Sequence, residues 1–142
     1  MGRKPFSFRG WYKGWYFRSL KELSLAVKWD EEGVKWTTAE TDKYSVFYTD
    51  LYGKRKKHYA DFFVDDHIIV ECKPRKKHNQ KTVQLKATAM KQFCDANGYE
   101  YQMLSPRRMD KRKLKKLIDA GIVVIEEHLR LKFEAYMNRK KK

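Results

Sequence analysis

Between His58 and Pro74 two short apolar stretches, Phe62-Phe63-Val64 and Ile68-Ile69-Val70, are bordered by charge: Asp61 before the first, Glu71 and Lys73 after the second. Two carboxylates and an ammonium among such neighbours lose several kcal/mol by desolvation unless they are paired, hydrogen-bonded or holding a cation. A divalent metal is the simplest tenant. The donors are all oxygen, which suits magnesium better than zinc, with manganese as the natural substitute.

Register makes this reading testable. Glu71 and Lys73 are two apart, so they project from one face of a strand and leave Ile68, Val70 and Cys72 on the other. A three-residue turn over Asp65, Asp66 and His67 pairs Val64 with Ile68, Phe63 with Ile69 and Phe62 with Val70, and sets Asp61 opposite Glu71. A two-residue turn over Asp65 and Asp66 pairs Asp61 with Val70 and sends the two carboxylates to opposite sides of the sheet. The site reading therefore requires the odd-length turn. His67 is read as a turn residue, and His58, His67, His78 and His128 show no paired spacing for zinc.

An aspartate, nine intervening residues and then Glu-x-Lys on adjoining strands resembles the PD-(D/E)xK nuclease superfamily, with Ala60 where that pattern usually has proline. Further matches lie upstream. The run Phe17-Arg18-Ser19-Leu20-Lys21-Glu22 resembles the RSxxE opening helix of several phage and transposon members. Val34–Glu40 followed by Tyr44–Tyr48 is similar to the corresponding stretch of small tailed-phage nucleases, head-completion nucleases among them. The spacing of Asp61, Glu71 and Lys73 after an acid on a preceding helix also resembles phage junction-resolving endonuclease. The resemblance runs over roughly residues 10–105. It implies an α/β, restriction-endonuclease-like core with a mixed β-sheet flanked by helices. Asp61 and Glu71 then hold the metal, joined by Glu22 and the backbone carbonyl of Cys72, and Lys73 acts at the attacked phosphate. Ser19 and Glu22 also satisfy the capping box S-x-x-E, which explains both without any metal. The roles separate by consequence, because a lost cap costs about 1 kcal/mol of stability whereas a lost ligand abolishes turnover with the fold intact.

The elements that must position these residues follow from periodicity. A helix of about ten residues follows Ser19, with Leu20, Leu23, Ala26 and Val27 as its apolar stripe. Tyr44 to Thr49 alternates as a strand, Asp50 to Gly53 turns, and the charge run Lys54-Arg55-Lys56-Lys57 reads as a loop leading to Asp61. Thr82 to Asn97 reads as a helix bearing Val83, Ala87, Met90 and Phe93 or Cys94, stopped by Gly98, and Tyr99 to Leu104 as a further strand. Asp110 caps a helix over Lys111–Ala120, Gly121 ends it, and Ile122–Ile125 is a short apolar run. Glu126–Arg139 forms a last helix with Leu129, Phe133 and Met137 inward, and the terminal run Arg139–Lys142 is expected to be unstructured. Residues 1–17 carry seven aromatics without helical or strand period and read as an arm or lid. Three segments result: an aromatic and basic arm over 1–17, a nuclease core over 18–106 and a basic helical extension over 107–142. The extension has no core of its own, so it docks on the sheet domain or, through its helices, on a second copy to make a homodimer.

Charge points to the partner. The 142 residues hold 33 Lys and Arg against 18 Asp and Glu, a net +15, with 15% aromatic residues, which favours a polyanion such as DNA over a metabolite. Arg18, Lys54, Arg55, Lys56, Lys57, Arg75, Lys76 and Lys77 are the candidate DNA contacts, and Gln84 and Lys86 on the following helix either reach the scissile strand or serve surface solubility. Glu40 reads as an exposed loop residue or as a second acid behind the metal. Cys72 and Cys94 are too few for a disulfide framework or zinc site, and no segment has the length and apolarity of a membrane span, so a cytoplasmic protein, in the host cell if viral, is expected. The leading expectation is a magnesium-dependent endodeoxyribonuclease of phage type, structure-selective or of low sequence specificity. Alternatives are a Holliday-junction resolvase-like or homing or transposon-type cleaving dimer, a non-catalytic basic DNA-binding or packaging protein, and RNA binding or cleavage through the aromatic arm.

Overall fold

The computed structural model describes residues 6–139. In chain order the elements are β1 (Gly10–Tyr12), β2 (Trp15–Phe17), α1 (Leu20–Glu31), β3 (Trp36–Thr38), β4 (Ser45–Thr49), β5 (Arg55–Tyr59), β6 (Phe62–Val64), β7 (Ile68–Cys72), α2 (Lys81–Asn97), β8 (Glu100–Leu104), α3 (Lys111–Asp119), β9 (Val123–Ile125) and α4 (Arg130–Met137). The protein is mixed α/β. It divides into two compact units, one of residues 28–106 and one built from both ends of the chain, 1–27 with 107–142. Among the described residues no helix is long and apolar enough to cross a membrane.

In the unit of residues 28–106 a four-stranded sheet runs in the order β3-β6-β7-β8, antiparallel except for the parallel pair β7 and β8. The expected mixed sheet is present. Its central hairpin turns through Asp65, Asp66 and His67, and its register pairs Phe62 with Val70, Phe63 with Ile69 and Val64 with Ile68, as the odd-length turn requires. Asp65 and Asp66 both take positive φ, a conformation their short polar side chains tolerate better than most. Alternation then gives the sheet two apolar faces. One carries Phe62, held edge-on by Trp29 and Trp36. The other carries Phe63 and Ile69, which join Ala39, Tyr44, Val46, Ala60, Met90 and Cys94 in one core. Helix α2 supplies Met90 and Cys94 to that core and ends at Gly98, whose φ of 72° is left-handed.

The antiparallel hairpin β4-β5 forms a separate two-stranded sheet. Arg55, Lys56 and Lys57, expected in a loop, are strand residues there. Arg55, Lys56 and Lys57 are exposed on both faces of the strand, so no apolar alternation marks it and the charge run hid it.

The other unit corrects the reading of both chain ends. Residues 10–17 form the hairpin β1-β2, and β9 pairs with β1 in the sheet order β2-β1-β9. The extension shares a core with this hairpin: Phe6, Phe8, Tyr12, Phe17, Leu114, Val123, Ile125, Leu129, Phe133 and Tyr136 are all buried. Gly10 makes the pairing fit, because a Cβ there would stand 2.3 Å from the Val124 carbonyl oxygen. Asp110 caps α3 as expected, its carboxylate accepting from the Arg112 N–H at 2.7 Å. The helix read over Glu126–Arg139 is a 3-10 turn, Glu127–Leu129, followed by α4. The terminal run expected to be unstructured falls, beyond Arg139, outside the described residues.

Candidate active site

Asp61 sits where the β6-β7 ladder stops. Its N–H donates to Val70 O at 3.2 Å, its carbonyl accepts from Ala39 N at 3.0 Å, and its Oδ2 accepts from Cys72 N at 2.7 Å. The backbone is thus fixed from both neighbouring segments, and the carboxylate replaces a carbonyl as the partner of the Cys72 amide. The sequence reading gave Cys72 a role through its carbonyl; the contact made with Asp61 runs through its N–H. The Ala39 bond also brings the next residue close. Glu40 and Asp61 offer carboxylate oxygens within 4.8 Å of each other.

Glu71 is 2% exposed. Both of its oxygens are occupied: His58 Nε2 lies 2.5 Å from Oε1, and the Tyr101 hydroxyl donates to Oε2 at 3.1 Å. A carboxylate this deep is tolerated because these donors replace its lost water. Burial, and then the Glu71 charge, push the Tyr101 hydroxyl well above the ordinary phenol range, so it remains a donor at any physiological pH. Neither partner was singled out by sequence. The register could have found Tyr101, since it stands beside Ile69 in the parallel pair and so shares the face of Phe63 and Glu71. His58 was hidden at the end of the charge run, where its pairing with buried Val46 sets it on the inward face of the hairpin.

Lys73 follows β7, half-buried, its N–H donating to Leu104 O at 2.9 Å and its carbonyl accepting from His78 Nε2 at 2.9 Å. Among the described residues nothing hydrogen-bonds or pairs with its ammonium. Glu22 lies in the first turn of α1, in the unit of the chain ends, and its N–H donates to Ser19 Oγ at 3.3 Å. The cap side of the double reading of Ser19 is therefore present. Cys72 is only partly buried. Cys94 is buried, and desolvation pushes its thiol up to about 11.

The candidate DNA contacts occupy several places. Arg18 is exposed in the unit of the chain ends. Lys54 through Lys57 lie on the hairpin β4-β5, with Lys56 paired to Asp50 at 3.2 Å and Lys57 to Asp42 at 2.5 Å. Arg75, Lys76 and Lys77 form an exposed 3-10 turn directly after the Glu71-x-Lys73 strand. Gln84 caps this turn by donating to the His78 carbonyl, and Lys86 lies over the Tyr48 ring, 5.8 Å from its centroid.

No family model matches this chain, and neither a curated protein nor a solved structure does.

Proposed function

We propose that this chain is a metal-dependent DNA endonuclease of phage type, built on a restriction-endonuclease-like core and acting on structure or with little sequence preference. One observation carries the reading. The 62–72 hairpin has the odd-length turn that the reading requires, and the aspartate just before it is anchored by the Cys72 amide with a second acid, Glu40, beside it. Asp61 and Glu40 offer an all-oxygen donor pair suited to magnesium or manganese. Glu71 joins them by the family resemblance, as does Glu22 on its opening helix. A divalent ion so held supplies a water of lowered pKa and neutralises charge on the scissile phosphate.

The chain's own residues do the rest. His58 and Tyr101 fix the orientation of the Glu71 carboxylate, and the Asp61 carboxylate is aimed by the Cys72 amide. Lys73 brings an ammonium with no partner among the described residues two residues beyond Glu71, where it stabilises charge on the attacked phosphate or positions the water. Arg75, Lys76 and Lys77 follow on the chain and meet the phosphates alongside.

The test is cleavage of supercoiled plasmid and of a four-way junction, by wild type and by Lys73→Ala, in magnesium, manganese or EDTA. Metal-dependent nicking that Lys73→Ala loses while still binding DNA supports the nuclease. The ratio of junction to plasmid cutting chooses between a junction-resolving dimer and a nuclease of broad substrate range. The second reading is a non-catalytic DNA-binding protein, favoured by the engagement of both Glu71 oxygens with His58 and Tyr101. It predicts binding that weakens steeply with salt and no cutting in any metal.

A further inference from the structure

The hairpin β4-β5 has two unlike faces. Register puts Val46, Tyr48, Lys56 and His58 on one, the face that reaches Glu71 through His58, and Phe47, Thr49, Arg55, Lys57 and Tyr59 on the other. That outer face should be polar in a two-stranded sheet standing in water. Instead Phe47 is 55% exposed, Tyr59 39% exposed, and Tyr52 at the turn 88% exposed. The rings are interleaved with cations. Arg55 Cζ lies 4.3 Å from the Phe47 centroid, and Lys57 Nζ lies 5.8 Å from Phe47 and 5.3 Å from Tyr59.

We propose that this outer face is a stacking platform for unpaired nucleotides of a DNA strand. Rings and a guanidinium plane receive bases, since every base has a π-face, while Lys54, Arg55 and Lys57 meet the phosphates. Charge chooses this occupant over a protein. Residues 42–59 hold five basic and two acidic residues, and the acids are already engaged: Asp42 by Lys57 and Tyr59, Asp50 by the N–H groups of Tyr52 and Lys54 and by Lys56. An apolar partner surface on this face would have to desolvate Arg55 and Lys57, whereas a nucleotide strand meets them with phosphates. A duplex, with its bases stacked inside, gains only the phosphate contacts. The proposal deepens the nuclease reading, naming single-stranded or flapped DNA as what is held beside the site. It rests on that reading only for what is done to the strand, and not for its capture.

Fluorescence anisotropy with labelled oligo-dT and with a duplex of equal length, in EDTA so that nothing is cut, tests it. The proteins are wild type, Phe47→Ala, Tyr52→Ala, Phe47→Trp and Lys54→Gln, with circular dichroism confirming the fold. Each ring removal is expected to weaken oligo-dT binding about five-fold or more, with less than about two-fold on duplex. Phe47→Trp should keep the affinity, and Lys54→Gln should weaken both ligands alike. Equal losses on both ligands, or none, overturn the proposal. So do ring variants that leave oligo-dT binding unchanged but release the protein from phosphatidylserine vesicles or abolish its self-association. A wild type that grips oligo-dT through these rings yet cuts nothing in magnesium or manganese sinks the nuclease reading and leaves this one standing.

Discussion

The two compact units divide the labour between them differently. Residues 28–106 carry fourteen basic and twelve acidic residues, and several of those acids are held by named partners: Glu71 by His58 and Tyr101, Asp61 by the Cys72 amide. The chain ends together carry nineteen basic and six acidic residues around an aromatic and aliphatic core. Each placed polar atom requires its desolvation to be offset by a specific donor. A large uniform charge requires only solvent, and its use is attraction over distance. On the proposed reading, the chemistry lies where the charge is balanced and the attraction of DNA where it is not.

Substitution at Asp61 tests that contrast most severely. Asp61→Asn keeps an oxygen to accept the Cys72 N–H but removes the anion, so metal-dependent cleavage should fall at least about 100-fold while the melting temperature changes little. Cleavage surviving in Asp61→Asn would break the comparison, since the placed acid would then be structural. In the other unit Leu114 is fully buried. Leu114→Ala should destabilise by about 2–5 kcal/mol, with amide exchange quickening in α3 and β9. Equal quickening in α2 would show that the two units do not melt separately.

A smaller effect is expected at the Glu71 network. Tyr101→Phe deletes one donor to a buried carboxylate and should cost about 1–3 kcal/mol, read as a shift in denaturant midpoint. A neutral result would mean that water replaces the hydroxyl and that Glu71 is less enclosed than its 2% exposure indicates. Smaller still is the α1 cap. Ser19→Ala should cost about 1 kcal/mol and leave cleavage per folded molecule unchanged, whereas Glu22→Gln should leave stability nearly unchanged and reduce cleavage if Glu22 is a ligand.

Legibility followed the range of the interactions. In the 62–72 hairpin the sequence left a two- or three-residue turn open, and the site reading required the longer one. The ladder has it but ends at Phe62 with Val70, short of pairing Asp61 with Glu71. The two strands themselves were readable because alternation acts within eleven residues. Helix α2 and its Gly98 stop were readable for the same reason. The strands β1 and β2 were not, since β9, which pairs with β1, lies more than a hundred residues away and three-residue strands show too little period. The tail looked coreless because its core is lent by the other end of the chain. Asp61, Glu71 and Lys73 were picked out by charge in an apolar setting, yet His58 and Tyr101 escaped, because membership of a buried network depends on proximity that no local pattern encodes.

The weakest effect expected falls on the exposed pair Asp42 and Lys57, and its sign is definite. Donation from Lys57, then from Tyr59, lowers the Asp42 carboxyl below its ordinary 3.8, and the same contact raises the Lys57 ammonium. A depressed carboxyl contributes stability that is present above its unfolded value and is lost as pH falls through the folded one. Hairpin order, followed by the ring resonances of Tyr59 and Phe47, should therefore hold at neutral pH and loosen only below the usual aspartate range. Asp42→Asn should flatten that acid transition and change global stability little, as exposed pairs do. The variant also frees Lys57 on the outer face of β4-β5, so it should bind oligo-dT somewhat more tightly than wild type. Tighter binding to duplex by the same factor would mean that Lys57 adds charge alone, and the hairpin would then belong with the chain ends as a phosphate attractor.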